Sequence, residues 1–466
     1  MKKMFNLYIL ILILFTVAGC KNLLNDSIER QNRKVKLELN RINNFGATGQ
    51  DRFYEVIESG DYYISVGRSN SNLSALPGGN VTQGTYDFVI AKFNKSDLSI
   101  ARINNFGGSD YDSITSVIES GDYYIAVGRS KSDLSGLTGG SINQGWDDFV
   151  IAKFNKSDLS LVDINNIGGD EMDDIQSVIE SGDDYIAVGY SYSDLSGLYG
   201  GNNMTAGSDF VIARFNKSNL SLVNINNIGG SKGEYFHSII ESGDYYITVG
   251  GSESNLTGLA GGSLNQGDMD FVIARFRKTD LSLEKINNFG GLKGDNMFSL
   301  IESGDYYIAS GESESDLMDL KGGSANRGEF DFVIAKFSKS DLSLVNINNT
   351  GGVYTDTCSS VIESGDYYIT AGYSVSDLSA LPGSSSNFGN TDFVIGMFNK
   401  SNLELETITN LGGTSNDYFL SVIKSDGYYI TAGYSYSDLS SLQGGNVTKG
   451  STDFVISRFE EIVFYK

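Results

Sequence analysis

The sequence predicts an all-β fold: a seven-bladed β-propeller of four-stranded antiparallel blades, closed by an N-terminal outer strand that pairs with the last blade. Three observations carry this expectation. One 61-residue unit recurs seven times with no insertion. Each copy holds four strand-like segments. The array starts and stops out of phase with its own unit, so its two ends complement each other.

Two markers set the period. Asp-Phe-Val-Ile begins at Asp87, Asp148, Asp209, Asp270, Asp331, Asp392 and Asp453, in equal steps of 61. Ile42, Ile103, Ile164, Ile225, Ile286, Ile347 and Ile408 keep the same step and open Ile-Asn-Asn or Ile-Thr-Asn segments. In the second copy, strand A is expected at 113–119 and strand B at 123–128, joined by the tight turn Ser120-Gly121-Asp122. A polar segment fills 129–147. Strand C follows at 148–154, a short Asn155-Lys156-Ser157-Asp158 turn leads to strand D at 159–165, and Gly168-Gly169 returns the chain to the next strand A.

Strand C is apolar on both faces, with Phe149 and Ile151 on one and Val150 and Ala152 on the other. Such a strand belongs inside a stack of sheets. A lone four-stranded unit cannot cover two apolar faces, whereas seven units arranged radially cover one another. The chain opens on a strand D (36–43) and ends on a strand C (453–459), so the first strand completes the last blade and no edge stays open. An open solenoid would need capping repeats, and none is visible. Residues 460–466 have no assigned place.

Composition agrees. Gly is abundant at 56 residues, Pro is nearly absent at 2, and long runs of helix formers are missing. The net charge of −24 repels phosphate backbones and argues against a nucleic-acid partner. Cys20 and Cys358 are the only cysteines. With Cys20 assigned to an export signal, no disulfide can form within the mature chain.

That signal is read from Lys2 and Lys3, an apolar run at 5–16 too short to span a bilayer comfortably, and then Val17-Ala18-Gly19-Cys20. The last four residues resemble the bacterial lipobox. The resemblance implies a signal peptide at 1–19, acylation of Cys20 (palmitate among the acyl groups), a polar tether to 34, and membrane attachment in the cell envelope, in the outer membrane facing the periplasm or the exterior. The alternative, an uncleaved anchor helix, also tethers the domain.

Gly-Gly-x-x-x-Asp, then Ile-Glu-Ser-Gly-Asp-Tyr-Tyr-Ile-Ala-Val-Gly, then Asp-Phe-Val-Ile-Ala-Lys-Phe resembles the bacterial β-propeller repeat family of exported surface proteins and lipoproteins. The resemblance covers 36–459 and implies the fold and an exported location, without implying any chemistry. Two departures stand out: Trp146 is the only tryptophan, and Ser-Gly-Asp replaces the Asp-Gly-Gly turn.

Alternating strands put the short A–B and C–D turns on one face and the B–C and D–A loops on the other. The seven long B–C loops make that face the expected ligand surface. One loop column is acidic throughout: Asp51, Asp112, Asp173, Glu234, Asp295, Asp356 and Asp417. If strand A lines the channel, these carboxylates form a candidate ring for a cation or an electropositive ligand. The favoured alternative is that each accepts backbone N–H bonds in its own loop, since retention in every blade is what a fold-forming role requires.

Two asymmetries break the repeat: Tyr86 and Trp146 just before strand C, and Tyr190, Tyr192, Tyr199, Tyr373, Tyr434 and Tyr436 after strand B. They are candidate ligand-face aromatics, with loop packing as the commoner role of such residues. His237, the only histidine, occupies a column shared with Tyr54, Thr115, Gln176, Phe298, Ser359 and Leu420. Cys358 occupies an apolar column. A Ser-His-Asp triad, a Cys-His pair or a zinc site therefore has almost nothing to be built from. The expectation is a non-catalytic, lipid-anchored monomer that binds a protein or glycan on its long-loop face and carries no cofactor. A carbohydrate-active or other hydrolytic enzyme, and a cation-stabilised structural surface protein, are the alternatives.

Overall fold

The computed structural model describes residues 33–204 and 206–465. The expected signal segment, the expected lipidation site Cys20 and most of the expected tether fall in residues 1–32, outside the described residues. Strands are the only regular elements described, 28 of them, sorted into seven four-stranded antiparallel sheets. The blades run 51–106, 112–167, 173–228, 234–289, 295–350 and 356–411. The seventh combines 417–465 with the N-terminal strand Arg33–Phe45. In blade 2, strand A is Asp112–Ser120, B is Tyr123–Ser130, C is Asp148–Asn155 and D is Leu161–Ile167. Neighbouring strands A touch one another around the whole ring, blade 7 against blade 1, and so line a central channel.

The core lies between blades. Phe149 and Ile151 pack toward blade 3, whereas Val150 and Ala152 pack toward blade 1, all of them buried. The both-faces pattern of strand C thus becomes two interfaces, each burying side chains that contribute about 1.5–3 kcal/mol apiece. A circle of hydrogen bonds joins the same interfaces. Each strand-B tyrosine hydroxyl meets the turn serine of the preceding blade: Tyr124 to Ser59 at 2.9 Å, Tyr185 to Ser120 at 2.9 Å, and Tyr63 back to Ser425 at 3.2 Å across the closure. The serine of the Ser-Gly-Asp turn thus supplies the partner of each buried tyrosine hydroxyl.

Ring closure is as expected but longer. The N-terminal strand pairs with Asp453–Tyr465 over its full length, Arg33 opposite Tyr465 and Phe45 opposite Phe454. Residues 460–465, unassigned from sequence, extend this pair. They cover the backbone of Leu37, which is fully buried between blades 6 and 7.

Strand D begins two residues later than expected, at Leu161 rather than 159. Leu159 belongs to the C–D turn. Its φ is 58°, in the left-handed region, and its side chain is fully buried. Its N–H bonds Asn155 O at 2.9 Å, and its carbonyl accepts Asn104 Nδ2 of blade 1 at 2.9 Å. Burial and the inter-blade bond hold a conformation that costs an L-residue about 1–2 kcal/mol.

The long B–C loops do not crown the channel. Each folds down its own blade, where Leu134 plugs the core, Thr138 O accepts Ile164 N at 3.0 Å, and Ser141 N bonds Asn166 Oδ1 at 2.7 Å on strand D. Their exposed apolar residues, including Ile142 and Leu264, therefore lie toward the rim.

Candidate functional site

The acidic column sits inside the blades, not on the channel surface. All seven carboxylates are at most 1% exposed. In blade 2, Asp112 Oδ1 accepts Ser130 Oγ at 2.5 Å, and Oδ2 accepts Gly108 N at 2.8 Å and Ser132 Oγ at 3.1 Å. Blade 3 repeats this with Asp173, Gly169, Ser191 and Ser193. The first glycine of the D–A loop is required here, since a Cβ on Gly168 would lie 2.4 Å from Asp173 Oδ2. The open ring does not form, and each carboxylate staples its own loop. The Asp opening strand C does likewise, as Asp148 Oδ2 accepts Asn166 Nδ2 at 2.9 Å. Burial, outweighing these donors, pushes Asp51, Asp295 and Asp417 up to about 6 and Asp112, Asp173, Glu234 and Asp356 up to about 7.

The channel wall comes from a bulge. The A–B register slips between Ile114 and Ser116, so Thr115 is unpaired, and the same slip recurs in the other blades. Strand B must supply glycine opposite the bulge, because a Cβ on Gly128 would lie 2.0 Å from Ser113 O. The bulge residues Tyr54, Thr115, Gln176, His237, Phe298, Ser359 and Leu420 line two cavities of about 270 and 130 Å³. The larger extends toward Thr357 and Tyr373. The smaller extends to the next column, which is serine in six blades and Glu55 in blade 1. Ser421 Oγ accepts Val56 N of the next blade at 3.2 Å, and Glu55 Oε2 accepts Val117 N at 2.6 Å in the equivalent place. His237 Nε2 lies 3.2 Å from Asn296 Nδ2, and burial lowers its pKa to about 4, so the ring is neutral near pH 7. Cys358 is buried among Phe332, Leu378, Val394 and Ile408, and burial pushes its thiol up to about 12.

Where the strands reach the long-loop face, two columns form the channel mouth. The first residue after the acidic column reads Arg52, Ser113, Asp174, Tyr235, Asn296, Thr357 and Tyr418. Its cross-strand partner reads Arg68, Arg129, Tyr190, Gly251, Glu312, Tyr373 and Tyr434. Core columns barely vary between blades, whereas these two differ almost everywhere. They also hold five of the nine buried side-chain atoms without a hydrogen-bond partner among the described residues: Arg52 Nε, Arg68 Nε, Ser113 Oγ, Asp174 Oδ1 and Asn296 Oδ1. Buried polar atoms are ordinarily paired, so their concentration in one layer marks the mouth as chemically unfinished.

The sequence-predicted aromatics sort around this mouth. Tyr190 stacks edge-on with Tyr192 and Tyr235, donates to Asp174 Oδ2 at 3.2 Å, and Tyr192 meets the Tyr235 hydroxyl at 2.8 Å. Tyr373, Tyr418 and Tyr434 stack in series, with Tyr436 beside them. Tyr86 packs on Tyr111. Trp146, 64% exposed, shares a cleft of about 380 Å³ with Tyr192 farther out. Tyr199 is not brought to the mouth: it stands 78% exposed on the rim, its carbonyl accepting Ile225 N at 3.1 Å from strand D. Sequence reasoning missed Arg52, Arg68, Ser113, Asp174, Tyr235, Asn296, Glu312 and Tyr418. Comparing the 61-step columns for variability would have found them.

No family model and no curated protein matches the sequence. Among solved structures, the WD40 β-propeller domain of Doa1 is similar at 11% identity and a TM-score of 0.48, covering 91% of this chain and 97% of that one. The Pan2 WD40 domain of Neurospora crassa is similar at 8% identity and a TM-score of 0.44, covering 88% of this chain and 89% of that one.

Proposed function

We propose that this chain is an exported, lipid-anchored binding module of the bacterial cell envelope, whose channel mouth on the long-loop face grips a protein or glycan partner without catalysis. One observation carries the reading: the two mouth columns, like the bulge column in the channel below them, differ from blade to blade, and five buried polar atoms there, on Arg52, Arg68, Ser113, Asp174 and Asn296, have no hydrogen-bond partner among the described residues. A fold needs the same residue in every blade, whereas recognition of a single asymmetric ligand needs different residues in different blades. Tyrosine and arginine, which recur there, are the side chains that most often anchor interfaces. The lipobox-like Val17-Ala18-Gly19-Cys20 supports the anchored location.

Crosslinking and affinity capture from intact envelopes test it, comparing the native chain with a Tyr190→Ala, Tyr434→Ala double variant. Loss of a specific crosslinked partner in the variant is expected. Identical captured species from both chains would overturn the reading.

A further inference from the structure

We propose that the blade 1 sector of the mouth is a binding site for one oxyanion, a carboxylate or a phosphate, held between Arg52 and Arg68. This rests on the reading of the mouth as the binding surface and names the chemistry it recognises there. Arg52 and Arg68 are a registered cross-strand pair, so two guanidinium-bearing residues stand directly opposite each other at the mouth. Like charges in that relation repel. Acidic residues outnumber basic ones 58 to 34 in the sequence, yet neither guanidinium forms an ion pair with a carboxylate among the described residues. Both are half-buried, and the Nε of each lacks any partner.

Blade 2 supplies an internal control. Arg129 occupies the same column as Arg68 and is neutralised by the protein itself, with Nη1 3.5 Å from Asp147 Oδ2 and Nε 3.5 Å from Asp174 Oδ2. One repeat earlier, the positions of Asp147 and Asp174 hold Tyr86 and Ser113. The carboxylates are thus absent where Arg68 would need them, and the buried Ser113 Oγ is left without a partner. Aromatic faces take the place of the acids. The Arg68 guanidinium carbon lies 4.8 Å from the Tyr86 ring and 4.9 Å from the Tyr111 ring, and that of Arg52 lies 4.6 Å from the Tyr434 ring. Arg52 Nη2 also donates to the Tyr436 hydroxyl at 2.7 Å. Stacking holds a guanidinium by its face and leaves in-plane N–H donors to spare, the Nε of both arginines among them although Arg52 Nη2 also lies 3.4 Å from Gln50 Oε1, and such donors take an oxyanion side-on. Only blade 1 carries this pair, so the site occurs once per chain.

Calorimetric titration of the full chain in neutral detergent at low ionic strength tests this, with glutarate and inorganic phosphate as separate probes. Saturable binding of one equivalent is expected from at least one probe, and the tighter of the two identifies the group. Arg68→Gln should weaken it at least tenfold, the loss of about one charge-assisted contact. Ser113→Asp, which installs in blade 2 the carboxylate that blade 3 presents to Arg129, should also weaken it at least tenfold while raising the melting temperature. Arg275→Gln, whose guanidinium already pairs with Glu284 at 2.6 Å, should bind like the native chain. Absence of saturable binding by both probes, seven equivalents per chain, or native affinity in Ser113→Asp would overturn the proposal. If the captured partner is lost in the double tyrosine variant but kept by Ser113→Asp, the mouth reading stands and the oxyanion assignment falls.

Discussion

At the scale of single residues, the fold repeats one strained position in the C–D turn and offsets the strain by burial. Leu98, Leu159, Leu220, Leu281, Leu342 and Leu403 all hold a positive φ in the C–D turn, and all are fully buried. Leu159→Ala removes the buried side chain without freeing the backbone and should cost about 2–5 kcal/mol. Leu159→Gly loses the same packing but relieves the φ strain, so it should be no less stable than the alanine variant, reversing the usual order of these two residues. Urea unfolding of the pair checks the order. Tyr124→Phe opens one link of the inter-blade circle and leaves Ser59 Oγ without the tyrosine. A loss of about 1 kcal/mol in the same assay is expected, and no loss would show the circle to be incidental.

At the scale of elements, the closing strand matters more than any blade. Arg33–Phe45 supplies the outer strand of blade 7, and Thr409 of blade 6 donates to Leu37 O at 2.7 Å, so this one strand ties the last blade into the ring. A chain beginning at residue 46 would expose one edge of Asp453–Tyr465, whose open N–H and C=O groups invite pairing between molecules. Size-exclusion chromatography should show it as oligomers or aggregate where the full chain elutes as a single species; an unchanged elution volume would show that closure needs no such strand. The inner strand A carries the opposite burden. Its bulge turns one residue per blade into the channel and leaves the paired positions on either side for the core and the inter-blade bonds. This separation lets the mouth and channel vary while the packing columns stay constant.

At the scale of the molecule, the buried carboxylates set the pH response. Seven groups are pushed up to about 6 or 7 by burial, from ordinary values near 4. Between about pH 4 and 7 the folded chain therefore holds more protons than the unfolded chain, and stability rises as the pH falls through that window. Relief of self-repulsion in a chain of net charge −24 acts in the same direction. Below it, exposed groups such as Asp133 and Asp158, held low by the hydroxyl and backbone N–H donors of Ser135 and Ser160, pull stability down again. The thermal midpoint should accordingly be higher at pH 5 than at pH 7.5. A midpoint lower at pH 5 than at pH 7.5 would show that the serine and amide donors outweigh burial.

The repeat determined blade number, strand order and ring closure from the sequence alone, because a period of 61 with two apolar faces per unit has few packed solutions. It also placed Cys358 in an apolar column. The sequence did not disclose the left-handed Leu159, whose conformation is stabilised by a neighbouring blade. Nor did it show the pairing of 460–465, whose partner lies at the other end of the chain, or the downward fold of the B–C loops, whose hydrogen bonds reach strand D after a gap of some twenty-five residues. The acidic column left a ring and a loop-fastening role both open, with the second favoured, because periodicity reports position around the axis but not the direction in which a side chain points. Only the tertiary structure decided that: the carboxylates turn inward onto Gly and Ser, while Arg52 and Arg68, unremarked in the linear sequence, stand opposite each other in register with no ion pair to an acid among the described residues. Repetition encodes what every blade must share, and function lies in what the folded ring brings together from the positions where the blades differ.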